Sequence, residues 1–402
     1  KGSLAAAARS EARSAFAHAD KLESLPHAKT HASFLEANAQ SHADPFHAFA
    51  DIIDNSREAR ALRCSINTRD EKLLEITDDG EGMSEYTLSC AISIAYTSKD
   101  FTTGKHYGMG VTTAIPRLGK SALCFSVHRE SGHYTLAMLS SQLSKNLGAD
   151  ELKLPQCSWY ALMPGAIVQD QVRQRTPFST QQRHQSLDVI LQYSHFESEA
   201  ALLAEFTDLG ESGTKWLCWN VRTDELDLKV PCEGRMKQPP ADIRLFGKKP
   251  FGPKHESSLR AYLEVLYYYD NEIAQRPVMT MELQGKPIVP RNWSTYLHQQ
   301  SSASYKPQGA PIAVAKMAFG YALPLPDVVT IFEDKNSSKS RPGSEYHQIC
   351  MNHGVFYYHQ GHDPTMPARL MLPAEPTKLQ KKETAAMKVT HMRLATLGYA
   401  LI

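Results

Sequence analysis

One segment constrains the fold of this chain more than any other: a strand-forming run that leads directly into "TDDGEGM", residues 77–83. Apolar and polar residues alternate along "KLLEITDD" as in a β-strand. Asp78, Gly80 and Gly82 then follow in a D-x-G-x-G spacing. Glycine lets a flat ligand approach the backbone, and a carboxylate at a strand end can accept a hydrogen bond from an exocyclic amine. A plain strand-to-loop turn remains the alternative, because D-D-G is also common turn chemistry.

An amphipathic helix is predicted ahead of this strand, in "PFHAFADIIDNSREA", with Asp44 as N-cap and Pro45 at its first position. Asp51 and Asn55 lie one turn apart on it and could serve as a base and a Mg²⁺ ligand, since an amide oxygen beside a carboxylate suits a hard cation. A solvated helix face is the alternative. The apolar stripe contains Phe46, Phe49, Ala50 and Ile53, and the polar stripe contains Asp51, Asp54, Asn55 and Glu58.

A glycine-rich segment, "TSKDFTTGKHYGMGVTTAIPRLGK" (97–120), leads into a helix that is predicted to start near Val111. Free backbone N–H groups at such a helix start suit phosphate, although a flexible loop without a ligand has the same composition. The segment is not a P-loop, because no G-K-[ST] follows, and it is not a Rossmann turn, because no G-x-G-x-x-G opens the first helix.

Charge and cysteine content exclude several classes of function. Lys and Arg total 44 against 43 for Asp and Glu, so no global field favours nucleic acid or a membrane. Seven scattered cysteines without a C-x-x-C pair argue for a reducing compartment and against a structural zinc site. No long apolar run predicts a membrane span and the first residues do not resemble a secretory signal. Three local basic clusters, which are either solvated surface or DNA contacts, lie at 246–255, 335–341 and 378–382.

The sequence predicts an N-terminal arm (1–29), an α/β domain of a size suited to a nucleotide site (30–186) and a second α/β domain (187–402). Two segments, "QQSSASYKPQG" and "EDKNSSKSRPGSE", are predicted to be mobile loops. The segment 169–185 is predicted to be an exposed helix or loop. The other predicted strands are "LRCSINT", "GTKWLCWNV", "VMTMELQG", "HGVFYYH" and the hairpin "SALCFSVHRE-SG-HYTLAMLSS", and the other predicted helices are "ESSLRAYLEVLYYY" and "KKETAAMKVTHMRLATLGYAL".

An acid/Asn helix, a strand ending in D-x-G-x-G and a glycine lid before a helix, in this order, resemble the GHKL ATPase superfamily, which includes gyrase, histidine kinases and MutL. More closely, the chain resembles the Microrchidia (MORC) ATPases. "SHADPFHAFADIIDN", "TDDGEGM", "YGMGVTTAIPRLGKSALCFS" and "YTLAMLSSQL" are similar to motifs of the first domain of that family. "SGTKWLCWNV", "SLRAYLEVLY" and "HGVFYYHQGH" are similar to later motifs, so the resemblance spans about 30 to 395.

The resemblance implies a Bergerat ATP-binding α/β sandwich followed by an S5-type transducer domain. It implies ATP with Mg²⁺ as ligands, Asn55 on the metal, Asp78 on the adenine amine and Met83 against the ring, with Gly80 and Gly82 leaving room for adenine. Gly108 and Gly110 would hold phosphates with neighbouring backbone amides of the lid, and Lys99 is a candidate phosphate or lid contact. The lid residues implied are Lys99, Lys105, His106, Tyr107, Gly108, Met109, Gly110, Val111 and Thr112.

Three positions depart from the family pattern. The general base is Asp51 instead of glutamate, one methylene shorter, so we expect slow or absent turnover. Thr112 replaces the lid lysine, for which Lys105 or Lys99 could substitute. Leu372 stands where the lysine that senses the γ-phosphate would lie, with Lys378 as the nearest candidate.

The function implied is a nuclear, ATP-gated head that forms a homodimer on binding Mg-ATP and acts with chromatin-associated proteins, and through its basic loops with DNA, in chromatin compaction and gene silencing. A non-hydrolysing scaffold stabilised by nucleotide is a second hypothesis. A DNA-repair or topoisomerase ATPase of the MutL or gyrase type is a third, and it would require a cleavage domain that this sequence does not contain. No histone-reading zinc domain or coiled coil is evident within these residues.

Overall fold

The structure of this chain is a computed structural model. It describes residues 30–42, 44–69, 72–94, 110–163, 166–169, 180–228, 242–245, 257–268, 279–290, 297–305, 315–322, 357–359, 368–371 and 399–401. The predicted N-terminal arm (1–29) and the three basic clusters lie outside these residues.

Eight α-helices and seventeen β-strands are present in the described part of the chain. The helices are α1 (Phe34–Ala39), α2 (Pro45–Glu58), α3 (Glu85–Ile92), α4 (Gly110–Leu118), α5 (Ser141–Asn146), α6 (Thr180–Tyr193), α7 (Glu199–Ala204) and α8 (Leu259–Val265), with a 3-10 turn at Glu205–Leu209. The strands are β1 (Arg63–Arg69), β2 (Leu73–Asp78), β3 (Gly119–Val127), β4 (His133–Ser140), β5 (Gln156–Met163), β6 (Ala166–Gln169), β7 (Gly213–Val221), β8 (Leu226–Asp227), β9 (Arg244–Leu245), β10 (Tyr267–Tyr268), β11 (Thr280–Leu283), β12 (Lys286–Pro287), β13 (Leu297–Tyr305), β14 (Ala315–Ala322), β15 (Tyr357–His359), β16 (Ala368–Met371) and β17 (Tyr399–Leu401).

A nine-stranded mixed sheet in the order β12-β11-β1-β2-β7-β3-β4-β5-β6 organises the first half of the molecule. Its pairs are antiparallel except for β1 with β11. Strand β7 lies between β2 and β3, and β11 extends the edge, although both follow the predicted domain boundary at 186/187. The main sheet therefore draws strands from both predicted domains. The predicted boundary does not coincide with an edge of this sheet.

Two hydrophobic clusters cover the opposite faces of the sheet. One face packs against α1, α2, α3 and α4, with Phe49, Ile53 and Ile115 fully buried among the helices. The other face packs against α6, α7 and the 3-10 turn, where Phe206 contacts the rings of Phe125 and Trp159. The arrangement confirms the predicted α/β sandwich and adds a helical layer behind the sheet.

Helix α2 begins as its sequence predicts. The side chain of Asp44 accepts a hydrogen bond from Phe46 N at 2.8 Å, and Pro45 occupies the first helical position, where no N–H is needed. The apolar stripe is completely buried, and Phe46 stacks on Tyr262 of α8 with ring centroids 5.5 Å apart.

Three predicted elements differ from the structure. The predicted mobile loop at 299–309 contributes residues 299–305 to β13, which pairs with β14 because backbone hydrogen bonds do not require an apolar pattern. The predicted last helix contributes Tyr399–Leu401 to a strand, β17, that also pairs with β14. The predicted helix over 256–269 is shorter, since Tyr267 and Tyr268 leave it to pair with β16. The two small sheets β13-β14-β17 and β10-β16-β15 lie beyond the main sheet in sequence.

No helix within the described ranges is long and apolar enough to cross a membrane.

A buried ion cluster fixes the 3-10 turn against the back of the sheet. Lys215 of β7 has no exposed side-chain surface, and its Nζ donates to Glu205 at 3.0 Å and to Asp208 at 2.7 Å. Arg69 of β1 donates to both oxygens of Glu205, at 2.8 and 3.0 Å, and also pairs with Glu75. Burial alone would raise the pKa of Glu205, but the hydrogen bonds from Arg69 and Lys215 outweigh it and hold that pKa below its ordinary value.

We expect Lys215→Met to lower the free energy of unfolding by roughly 3 kcal/mol, because it leaves Glu205 only partly compensated in a buried site. Urea denaturation followed by tryptophan fluorescence measures the change. Lys72→Met makes the same change at an exposed lysine in the turn between β1 and β2 and is the matched control. We expect it to change the free energy of unfolding by no more than about 0.5 kcal/mol. Equal effects of the two substitutions would contradict a stabilising role for the cluster.

Candidate nucleotide site

The carboxylate of Asp78 is the centre of the candidate site. It lies at the end of β2, with Oδ1 accepting from Gly80 N and Oδ2 accepting from the hydroxyl of Ser56, each at 2.9 Å. Protein surrounds it on most sides, yet part of the side chain reaches solvent. Burial raises the pKa of Asp78 to about 6, although the hydrogen bonds from Gly80 and Ser56 oppose the shift. The Asp78 carboxylate is therefore partly buried at the strand end, with one protein donor on each oxygen.

Gly80 and Gly82 are both required by close contacts within the protein. A Cβ on Gly80 would lie 2.8 Å from the carbonyl oxygen of Ala59, at the end of α2. Gly82 has φ +68°, and a Cβ there would lie 1.9 Å from the carbonyl oxygen of Val127. The D-x-G-x-G spacing therefore has a reason in the fold itself. Room for adenine at these glycines stays a prediction.

The backbone of Met83 is fixed by two neighbouring strands. Its N–H donates to Ser126 Oγ at 2.8 Å, and its carbonyl accepts from Thr135 Oγ1 at 3.1 Å. The side chain is partly buried and packs against the cluster that also contains α2 and α4. Met83 is thus held beside the strand end that carries Asp78.

Asp51 of α2 pairs with a residue that the sequence did not single out. Its Oδ2 lies 3.3 Å from Nε2 of His42, in the turn before α2, and its side chain is 24% exposed. His42 Nε2 also lies 3.3 Å from Thr113 Oγ1 in the first turn of α4. Asp51 is accordingly placed between the start of α2 and the helix that follows the glycine-rich segment.

The polar stripe of α2 divides between two environments. Asn55 is exposed, one turn after Asp51, and its side chain makes no hydrogen bond to the residues described here. Asp54 instead accepts from the hydroxyl of Tyr267 at 2.6 Å, and the guanidinium of Arg57 lies 4.1 Å above the same ring. One helix therefore offers Asp51 and Asn55 to the candidate site and uses Asp54 and Arg57 to hold β10.

The structure places only the end of the predicted lid. Gly110 is exposed at the first position of α4, Val111 is partly buried, and Thr112 is completely buried. The remaining predicted lid residues lie outside the described part of the chain: Lys99, Lys105, His106, Tyr107, Gly108 and Met109. The same is true of Leu372 and Lys378.

The side chains near Asp78 fit the Mg-ATP expectation in part. Within the described ranges, no group of three or more His, Cys, Asp or Glu residues forms a metal site. An exposed amide oxygen such as that of Asn55 suits Mg²⁺ when phosphates complete the coordination. Asn55 is followed directly by Ser56, whose hydrogen bond to Asp78 holds the helix against the strand end.

Four residues of this region were missed by the sequence reading: His42, Ser56, Thr113 and Ser126. Ser56 and Ser126 hold Asp78 and Met83, whereas His42 and Thr113 contact each other across 71 positions. The only signal in the sequence is their place beside the family motif: His42 lies within "SHADPFHAFADIIDN", and Ser56 directly follows it.

Comparison with known proteins agrees with this geometry. Residues 43–160 match the family model described as "Histidine kinase-, DNA gyrase B-, and HSP90-like ATPase". The chain is 29% identical over 307 residues to the mouse "MORC family CW-type zinc finger protein 1", covering 71% of this chain. It is 25% identical over 319 residues to "Protein MICRORCHIDIA 1" of Arabidopsis thaliana, covering 72% of this chain.

These relatives are Microrchidia (MORC) proteins, and the similarity supports a MORC-like ATPase head. Residues 43–160 correspond to a GHKL-type ATPase domain. The chain spans 30% of the mouse relative and 48% of the Arabidopsis relative, so it corresponds to less than half the length of either. Among solved structures, the ATPase region of Saccharomyces cerevisiae topoisomerase II is 13% identical, covers 69% of this chain and 58% of that chain, and has a TM-score of 0.33. At that TM-score the likeness adds nothing to the assignment.

The raised pKa of Asp78 predicts a pH-dependent effect of Asp78→Asn on the stability of this chain. The pKa of Asp78 is about 6 in the folded chain, against an ordinary value of 3.8 for an aspartate in the unfolded chain. Ionising Asp78 is therefore harder in the folded chain, and this carboxyl lowers folding stability as pH rises through about 6. The neutral amide removes that cost. We expect Asp78→Asn to raise the free energy of unfolding by about 2 kcal/mol at pH 7.5, with the gain vanishing near pH 4.

Urea denaturation at both pH values measures this difference. Asp224→Asn, at an exposed position in the turn after β7, is the matched control and should change little at either pH. A gain that is independent of pH would mean that ionisation of Asp78 is not its source.

Proposed function

We propose that the chain is an ATP-binding head that dimerises on binding Mg-ATP, hydrolyses ATP slowly, and acts in the nucleus in chromatin compaction and gene silencing. The observation that carries the proposal is the ionised, partly accessible Asp78 carboxylate, held at a strand end beside the helix that presents Asp51 and Asn55. Relatives named as MORC proteins, including "ATPase MORC2" of Homo sapiens, support the same function.

Adenine recognition would depend on the acceptor capacity of Asp78. A carboxylate has about four acceptor positions, and Gly80 N and Ser56 Oγ take one on each oxygen. The remaining positions can accept from the exocyclic amine of adenine. Such a bond specifies an amine over a carbonyl group, because a carbonyl would face the carboxylate with no hydrogen to donate.

Phosphate binding would involve the start of α4 and the preceding glycine-rich segment. Backbone N–H groups from Gly108 to Gly110 suit phosphate oxygens, and Lys99 or Lys105 would supply the cation that Thr112 lacks. Asn55 would hold Mg²⁺ together with the phosphates, and the bound ion would neutralise charge on them. The second small domain would act as an S5-type transducer.

Hydrolysis would use Asp51 as the base that accepts a proton from the attacking water. Aspartate is one methylene shorter than the glutamate of the family pattern. A misplacement of about 1 Å can cost roughly 10²-fold in rate. Slow turnover and a long-lived ATP-bound dimer are therefore the expected outcome.

ATP-dependent dimerisation is the first test. Light scattering of the 402-residue chain should give a mass near 44.8 kDa without nucleotide and about twice that with saturating Mg²⁺ and AMP-PNP. Asp78→Asn should bind nucleotide at least about tenfold more weakly by calorimetry. Its single side-chain oxygen would accept from Gly80 N, and its NH₂ group would then face the exocyclic amine of adenine, which is also a donor.

A chain that binds Mg-AMP-PNP and remains monomeric would contradict the dimer proposal. A chain that shows no calorimetric binding would contradict the ATP-binding proposal as a whole. Asp224→Asn serves here too as the matched control and should bind as the unmodified chain does.

The length of the base is the second test. Asp51→Glu should raise the rate of ATP hydrolysis by about tenfold or more while leaving the affinity for Mg-AMP-PNP within about threefold. Asp51→Asn should abolish hydrolysis and retain binding. Hydrolysis unchanged in Asp51→Asn would exclude Asp51 as the base.

A second candidate function is favoured by the three departures at Asp51, Thr112 and Leu372. Together they describe a head that binds ATP as a structural ligand and scaffolds chromatin partners without turnover. Strong binding and dimerisation, with no hydrolysis in the unmodified chain, would identify this case.

A further inference from the structure

We propose that His42 is a positioning residue that orients the carboxylate of Asp51 and joins it to the first turn of α4. This inference rests on the proposed function, in which Asp51 accepts the proton of the attacking water. His42 lies in the turn that precedes α2, nine positions before Asp51.

The hydrogen-bond pattern assigns the ring nitrogen its role. Nε2 of His42 lies 3.3 Å from Asp51 Oδ2 and 3.3 Å from Thr113 Oγ1. The hydroxyl of Thr113 donates to the carbonyl of Gly110 at 2.9 Å, so its oxygen is an acceptor toward His42. A carboxylate is also an acceptor. When Nε2 carries the hydrogen, it donates to Thr113 Oγ1 and lies at ion-pair distance from Asp51 Oδ2.

His42 is held at its backbone as well as at its ring. Its carbonyl accepts from Nε of Arg117, in the last turn of α4, at 2.9 Å. Arg117 is buried and donates to both oxygens of Glu225, at 2.7 and 2.5 Å. The ring is 14% exposed. Since α4 contacts His42 near both of its ends, the imidazole has a fixed place from which to act on Asp51.

The consequence concerns a short catalytic side chain. The ion-pair contact of Nε2 with Oδ2 restrains the carboxylate and therefore the direction of its other oxygen, which limits the misplacement that costs rate. The same contacts connect Asp51 with Gly110, the first residue after the glycine-rich segment. The position of the base is thus tied to the helix start that would meet the phosphates.

Substitutions of His42 test the role in the presence of nucleotide. Single-turnover hydrolysis, with enzyme in excess over Mg-ATP, detects slow rates, and calorimetry with Mg-AMP-PNP gives the affinity. We expect His42→Ala to slow hydrolysis by about tenfold with the affinity within about threefold. His42→Gln, whose amide nitrogen can replace Nε2 as donor, should recover most of the rate.

Two other histidines make the comparison specific. His184→Ala, at an exposed position of α6 on the far face of the sheet, should leave rate and affinity unchanged. His47 lies one turn before Asp51 on α2. If His47→Ala lowers the rate and His42→Ala does not, the proposal is overturned. A loss in His42→Ala that appears only as weaker binding also overturns it.

A measurement without nucleotide separates this proposal from the proposed function. In protein with ¹⁵N-labelled histidine, the imidazole signal of His42 is identified by its loss in His42→Ala. Asp51→Asn should shift that signal, because a neutral amide replaces the carboxylate that lies 3.3 Å from Nε2. An unmoved signal overturns the pairing and with it the proposal. This measurement needs no nucleotide, so it can overturn the role of His42 whether or not the chain binds ATP.

Discussion

The close approach of helix α2 to the end of strand β2 is the constraint on which the rest of the first domain depends. Gly80 lies so near the carbonyl of Ala59 that no side chain fits between them, and Ser56 closes the contact through its bond to Asp78. The same contact buries the Asp78 carboxylate and raises its pKa. The packing of α2 against β2 and the burial of the candidate binding group thus come from one junction.

That junction has a cost in stability which a bound ligand can offset. A carboxylate that is hard to ionise in the folded chain gains from any additional donor that reaches it. An amine that donates to Asp78 supplies such a bond. Interactions that bind only the folded chain stabilise it by mass action. We therefore expect nucleotide to raise the free energy of unfolding by more than its phosphate contacts alone would, because the amine bonded to Asp78 adds its own contribution.

Local signals predicted the elements of the site well, and long-range contacts were out of reach. Asp44 and Pro45 predicted the start of α2, and alternation predicted β2, because capping and pleating depend on near neighbours. The bond between His42 and Thr113 spans 71 positions, and that between Asp54 and Tyr267 spans 213. No periodicity specifies such pairs. Strand β13 was missed for a related reason: its serine-rich sequence resembles a loop, and its pairing with β14 decides its structure.

Helix α2 also connects the candidate site with the second half of the chain. Asp54 and Arg57 hold the hydroxyl and the ring of Tyr267, whose strand β10 pairs with β16. The residue that follows β16 is Leu372, where the family resemblance implies a lysine that senses the γ-phosphate. The helix that carries the candidate base is therefore linked to β16 by two side-chain contacts with Tyr267 and by one strand pair. A displacement of α2 on nucleotide binding would reach β16 through Tyr267 even though the lysine itself is absent at residue 372.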